Sequence, residues 1–330
     1  MRENWERVIT ATRGGLYESN YLKANSLDGS KGFWIKHNTL RPLEGEEGHG
    51  EFWVVWFERG EAPIVAKREV SWESLKLGKD RLWLESGEIR LNSGEASGEL
   101  ADIKWSLRLH DGGEALFHYP WDLLYRSRFP KKKALTPAPN LKFTGWIEVD
   151  GVRHEVASWC GMRGHNWGSE HAKRYAYGNC NVWDDGVERT VDGFSAKIEV
   201  AGRETPWISV LVGREPDVSY NSPRRWLSGD VKISDGSWEL GWRSLRRGGM
   251  GLSMTADPVG YAGLRYRHPG GGESYCYNTK FADVVWSVGG ETLRGSCGEL
   301  ELLFPEPLDG IALHPSEGWS AGDGDYRSEG

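Results

Sequence analysis

Residues 159–183 concentrate the side chains that could do chemistry. They read Trp159-Cys160-Gly161-Met162-Arg163-Gly164-His165-Asn166-Trp167-Gly168-Ser169-Glu170-His171, and then, after a short gap, Tyr175-Ala176-Tyr177-Gly178-Asn179-Cys180-Asn181-Val182-Trp183. Glycines at this density let backbone approach a neighbour closely. Imidazole and carboxyl groups beside them are candidate proton donors, and Arg163 is a candidate anion or oxyanion contact. His165, or Glu170 with a proton affinity raised by burial, is the expected acid. A structural reading competes: a glycine-rich turn in which His165 and Asn166 cap buried backbone groups and Trp167 plugs a barrel end. His165, Glu170 and His171 are also three possible metal ligands. Their spacing matches no zinc-enzyme pattern, and on a strand Glu170 and His171 point to opposite faces. Neither a metal nor a cofactor is expected.

Tyr175, Tyr177, Asn179, Asn181 and Trp183 recur at every second position, so one unbroken strand places them on one face. The alternate residues, Ala176, Gly178, Cys180 and Val182, are small and apolar. Either the large amphipathic side chains point into a cavity or the small ones pack against another layer. Phenols and amides inside a barrel need hydrogen-bond partners, and a ligand can supply them.

The elements that must position these residues are strands. Period-two alternation recurs over 17–24, 32–36, 51–58, 63–70, 81–86, 102–109, 142–149, 152–159 and 174–183. It returns over 193–200, 206–213, 228–233, 237–243, 274–286 and 298–304. Asp28-Gly29, Asp150-Gly151 and Asp235-Gly236 read as tight turns. Residues 120–127 alone suggest a short helix. Pro130 to Pro139 reads as a stiff loop returning to the first barrel, and the polar tail from Ser316 as frayed. Trp53, Val55 and Phe57 alternate with Phe52, Val54 and Trp56, so that strand is apolar on both faces and lies between a barrel interior and a second domain.

The chain has 330 residues, 38% of them hydrophobic, with 44 glycines, 18 tryptophans and a net charge of −7. Acidity argues against nucleic acid as a partner. Cys160, Cys180, Cys276 and Cys297 form no C-x-x-C pair. No leader-like apolar region and no long apolar run is present, which makes the cytoplasm the expected location without stable membrane insertion. Arg126, Arg128 and Lys131 to Lys133 read as a solvated basic loop, with transient contact to an anionic membrane as the alternative. Glu299 and Glu301 share a strand face, as do Glu148 and Asp150. Neither pair has, in sequence, the aromatic setting that a sugar cleft needs. So many short strands exceed a single eight-stranded barrel and call for an all-β fold of two barrel-like domains, drawn here as 1–187 and 188–330.

The 164–168 element Gly-His-Asn-Trp-Gly, together with Tyr17 to Ser26, Gly32 to Ile35 and Asn179-Cys180-Asn181, resembles the AttH-like group. That group includes hydroxyneurosporene synthase (carotenoid 1,2-hydratase) and tocopherol cyclase-like proteins. The resemblance implies two consecutive lipocalin-like antiparallel β-barrels, a ligand cavity in or between them, and hydrophobic ligands, often isoprenoid or polyketide-derived. It implies alkene hydration or cyclisation, with cycloaddition among distant relatives. On that reading His165 or Glu170 protonates the alkene. Trp167, Tyr175, Tyr177 and Trp183 line the cation path, each aromatic face contributing ~1–2 kcal/mol when desolvated. Asn179 and Asn181 hold a water or polar head group. Tyr21, Trp34, Arg163, Asn166 and His171 complete the expected ligand contacts. The rival expectation is a carrier that binds a hydrophobic molecule without chemistry.

Overall fold

The computed structural model describes residues 7–11, 14–41, 47–200, 202–242, 249–267 and 273–328. The strands of the first sheet are β1 (Leu16–Asn25), β2 (Lys31–Arg41), β3 (His49–Glu58), β4 (Ile64–Ser71), β5 (Lys76–Leu77), β6 (Trp83–Ser86), β7 (Ile89–Asn92), β8 (Glu95–Leu100), β9 (Ile103–His110), β10 (Leu116–Phe117), β11 (Lys132–Val149) and β12 (Val152–Gly168). A short helix α1 (Asp122–Arg126) falls inside the expected 120–127 segment. The second sheet contains β13 (Arg174–Cys180), β14 (Thr190–Lys197), β17 (Ile208–Arg214), β18 (Val218–Tyr220), β19 (Asp230–Ser234), β20 (Ser237–Trp242), β21 (Met250–Thr255), β22 (Ala262–Arg267), β23 (Glu273–Val288), β24 (Glu291–Phe304) and β25 (Leu313–His314). A small hairpin, β15 (Glu199–Val200) and β16 (Arg203–Glu204), stands apart, and helix α2 (Pro223–Trp226) precedes β19. Finally β26 (Tyr326–Arg327) returns to pair with β4.

The result is two curled, almost wholly antiparallel sheets, in agreement with two lipocalin-like barrels. The first runs β26-β4-β3-β2-β1-β12-β11-β9-β8-β7-β6-β5, and the second β18-β17-β14-β13-β24-β23-β21-β20-β19. The chain leaves the first sheet after Gly168 and enters the second at Arg174, ahead of the 187/188 division drawn from sequence. Among the described residues no helix is long and apolar enough to cross a membrane.

Local chemistry accounts for the turns. Gly29 has φ +68°, and the Asp28 carboxylate accepts from Ser26 Oγ at 2.6 Å and Ser30 N at 3.0 Å. Asp150 and Gly151, both at positive φ, form the two-residue link between β11 and β12.

Three expectations are corrected. The glycine block is not a turn: Val152 to Gly168 is one continuous strand. Its glycines are sites of close approach. A Cβ on Gly161 would lie 1.9 Å from Lys23 O, and one on Gly164 2.1 Å from the Tyr21 ring. The proline-rich stretch is strand too, because Pro137 and Pro139 fall where the β11–β12 register shifts and no ladder donor is required. The tail is ordered by Ser328, whose backbone N–H donates to Val65 O at 2.8 Å.

Three apolar clusters follow from strand alternation. Leu22, Phe33, Ile35, Phe52, Val54 and Trp56 fill the first barrel with residues of β6 to β12. Trp238, Trp286, Leu252, Met254 and Leu300 fill the second. Tyr21, Trp34, Trp53, Val55 and Phe57 face outward from the first sheet and meet Tyr175, Tyr177, Leu264, Cys276 and Leu303 of the second. Strand β3 is therefore buried on both faces, as its sequence demanded.

Candidate functional site

Both barrels are packed with their own side chains, and an aromatic-lined cavity lies between them. It measures about 290 Å3, at the lower end of the range for small-ligand sites. Tyr21 and Asn166 line it from the first sheet, and Tyr175, Tyr177 and Phe194 from the second. Tyr119, Phe129 and Trp226 extend its aromatic wall. The exposed ion pairs Lys131–Glu170 (2.5 Å) and Lys173–Glu199 (3.4 Å) stand at its rim. A smaller lobe of about 20 Å3 shares Tyr21, Lys132, Asn166, Tyr175 and Glu301 with it and adds Trp34, Lys36 and Tyr266.

Alternation on β13 builds the wall. Tyr175 and Tyr177 point to the interface, while Ala176 and Gly178 face the second core. A Cβ on Gly178 would meet Met254 Sδ at 2.2 Å and Trp238 at 2.8 Å, so only glycine fits there. Both sequence alternatives hold for Tyr175 to Gly178, but the strand ends at Cys180, so Asn181 and Trp183 lie beyond the single face expected of them.

Behind Tyr175 and Tyr177 stand buried carboxyls. Tyr175 OH donates to Glu301 Oε2 at 3.2 Å, and Asn278 Nδ2 donates to Glu301 Oε1 at 2.6 Å. Burial, reinforced by the neighbouring Glu299 carboxylate, raises the proton affinity of Glu301; Lys280, Lys36 and Lys132 oppose that rise without cancelling it. Lys280 itself is committed, donating to Glu299 Oε1 at 2.6 Å and to Asn278 Oδ1. Tyr177 OH donates to Asp192 Oδ2 at 3.1 Å, as do Thr136 Oγ1 at 2.7 Å and Asn179 Nδ2 at 3.2 Å. His118 Nε2 lies 2.6 Å from the other oxygen of Asp192. Burial pushes the phenols of Tyr21, Tyr175 and Tyr177 well above the ordinary tyrosine range, so all three are hydroxyl donors.

Seven expected site residues meet here: Tyr21, Trp34, Asn166, Glu170, His171, Tyr175 and Tyr177. His171 stacks on Tyr17 with ring centroids 4.0 Å apart. The others do not line the cavity. His165 is fully buried and points to the opposite side of β12 from Asn166. Its Nε2 lies 2.6 Å from Glu18 Oε1, and that carboxylate also accepts from the N–H groups of Ile9 and Thr10 and the Thr10 hydroxyl. Trp167 shares its side with Tyr125 and Leu135, and Arg163 is buried opposite Leu22. Period two explains the split, because 163, 165 and 167 face one way and 162, 164 and 166 the other. Asn179 sits behind the wall on Asp192. Asn181 is a clamp between the sheets, accepting from Lys23 Nζ at 3.0 Å and donating to Gly161 O at 2.7 Å. Trp183 lies in the second core, 5.7 Å from Trp286. Glu170 is an exposed rim residue and no buried acid.

Sequence alone does not mark Glu301, Lys132, Lys36 or Asp192 as site residues. Glu299 and Glu301 share a strand face but have no adjacent aromatic neighbours along the chain. The aromatic rings that surround Glu301 come from β2, β13 and β22, distant in sequence from β24. The alternation Glu299-Leu300-Glu301 inside a strand with an otherwise apolar end was the one available signal.

Solved structures share this architecture. An AttH-like protein from Nitrosomonas europaea superposes with a TM-score of 0.57 at 13% identity, over 91% of this chain and 95% of that one. Kievitone hydratase from Nectria haematococca gives 0.50 at 10% identity, over 88% and 89%. CghA with Sch210972 gives 0.50 at 12% identity, over 88% of each. No family model and no curated sequence matches the chain. The protein thus has the two-barrel fold of the AttH-like proteins, as its motifs led us to expect.

Proposed function

We propose that this protein is an enzyme that protonates an alkene of a hydrophobic isoprenoid or polyene held between its two sheets, leading to hydration or cyclisation. One observation carries the reading: a buried carboxyl of raised proton affinity, Glu301, lines an aromatic cavity. An acid in an apolar site holds its proton to higher pH than a solvated carboxyl does and can deliver it to a poor base. Protonation of the alkene carbon leaves the Glu301 carboxylate among Tyr175, Asn278 and the nearby lysines. Tyr21, Tyr175, Tyr177 and Phe194 present ring faces to the resulting cation. Asp192, behind Tyr177, places a carboxylate beside the same path. Attack by water gives an alcohol, and attack by a hydroxyl of the same molecule gives a ring. The proton lost from the attacking oxygen returns to Glu301. A cavity of about 290 Å3 suits the body of one small molecule, and a long polyene would leave its tail beyond the rim. The fold relatives support this reading, since one is named a hydratase.

The test has two stages. Mass spectrometry of hydrophobic molecules co-purifying with the protein supplies the candidates. Each is then incubated in 18O-labelled water or in deuterium oxide. Hydration adds labelled oxygen, and cyclisation leaves the mass of the ligand unchanged apart from carbon-bound deuterium. Product formed by the wild type and lost in Glu301→Gln with the ligand still bound supports the proposal. A tightly held ligand recovered unchanged and unlabelled from the wild type makes the protein a carrier.

A further inference from the structure

The smaller lobe contains two ammonium groups, Lys36 and Lys132, that face the Glu301 carboxyl but make no direct ion pair with it. Lys36 Nζ lies 4.1 Å from the ring centroid of Tyr266 and 5.4 Å from that of Trp34, and Lys132 Nζ lies 4.1 Å from that of Tyr175. Lys36 is more than nine-tenths buried, and both lysines line the lobe. Among the described residues neither ammonium has a hydrogen-bond or ion-pair partner. The other nearby charges are paired with one another. Lys280 is paired with Glu299, and Glu51 with Lys67 at 2.9 Å. Glu301 is the carboxyl that faces both lysines, and its two oxygens already accept from Tyr175 and Asn278. Aromatic faces accommodate a cation but do not replace a hydrogen-bond acceptor for an ammonium group that lines a cavity.

We infer that the ligand carries an anionic oxygen head group, a carboxylate, enolate or phenolate, that docks on Lys36 and Lys132 while its apolar body fills the larger cavity. The inference rests on the same cavity as the proposed function and narrows its substrate class to hydrophobic acids. Burial lowers the proton affinity of both lysines, that of Lys132 to about 8, and an arriving anion would restore it.

Two fluorescent probes with nearly the same aromatic body test this: anilinonaphthalene sulfonate, which is anionic, and phenylnaphthylamine, which is neutral. At neutral pH the wild type is expected to bind the sulfonate roughly tenfold more tightly. Lys36→Met with Lys132→Met should remove that preference and leave the affinity for the neutral probe. If the double variant does not fold, Lys132→Met alone carries the comparison, since its side chain is partly exposed. Equal affinities in the wild type, or a preference that survives the substitutions, would overturn the inference. So would displacement of the sulfonate by inorganic phosphate as effective as by decanoate, because charge alone would then suffice. Selectivity is read without turnover. An inert protein that prefers the sulfonate would keep this inference and remove the proposed chemistry, and an active enzyme without the preference would do the reverse.

Discussion

The Tyr175 hydroxyl donates to Glu301 across 3.2 Å, joining a cavity wall on β13 to a carboxyl on β24 that sequence places 126 residues away. The bond fixes the carboxyl at the edge of an aromatic space. Glu301→Gln keeps the shape and removes the proton. Turnover is expected to fall by about 100-fold or more, the usual contribution of a positioned acid, with ligand affinity preserved. Single-turnover kinetics beside a binding isotherm separate the two.

The pH dependence follows from the direction of the Glu301 shift. Burial and Glu299 raise its folded-state pKa, against the pull of Lys280, Lys36 and Lys132. A carboxyl raised on folding contributes stability in full below its unfolded value, roughly 4.3. That contribution is lost as pH rises through the folded-state value. Turnover, which uses the protonated form, should therefore decline on the alkaline limb. Over the same interval Glu301→Gln should gain stability relative to the wild type. A rate that climbs through that limb would assign the proton to another group.

His165 is expected to matter for folding and not for chemistry. Removing it by His165→Ala leaves Glu18 buried beside Thr10 with its imidazole partner gone, at a cost of about 1–3 kcal/mol. Urea unfolding should report that loss, while the folded fraction retains turnover. A fully stable but inactive variant would return His165 to the reaction.

Gly164 is covered by the Tyr21 ring, so Gly164→Ala must push that ring from the cavity wall. Overpacking of this kind costs about 1–3 kcal/mol. Both stability and binding of the neutral probe should suffer. Gly178→Ala, which intrudes on Met254 and Trp238 in the second core, should cost comparable stability and change probe binding less.

Asp192 accepts from three side chains and lies against His118. Asp192→Asn supplies an amide where acceptors are needed, and is expected to lower stability by roughly 2 kcal/mol and to release Tyr177 from its fixed position. A crystal structure of the variant showing an unmoved Tyr177 would contradict this.

The sequence by itself determined many of the strands, the Asp28-Gly29 and Asp150-Gly151 turns, the double burial of β3 and the face shared by Tyr175 and Tyr177. These are local properties, set by a side-chain period of two and by residues that tolerate positive φ. Only the tertiary structure decided which side of each strand meets the other barrel. A shift of one residue exchanges the two faces, which is why Asn166 lines the cavity and His165 does not. It also decided that Glu301, Lys36, Lys132 and Tyr175 share one space, because antiparallel pairing and the packing of two sheets bring together residues from β2, β11, β13 and β24 whose distances along the chain carry no trace of that meeting.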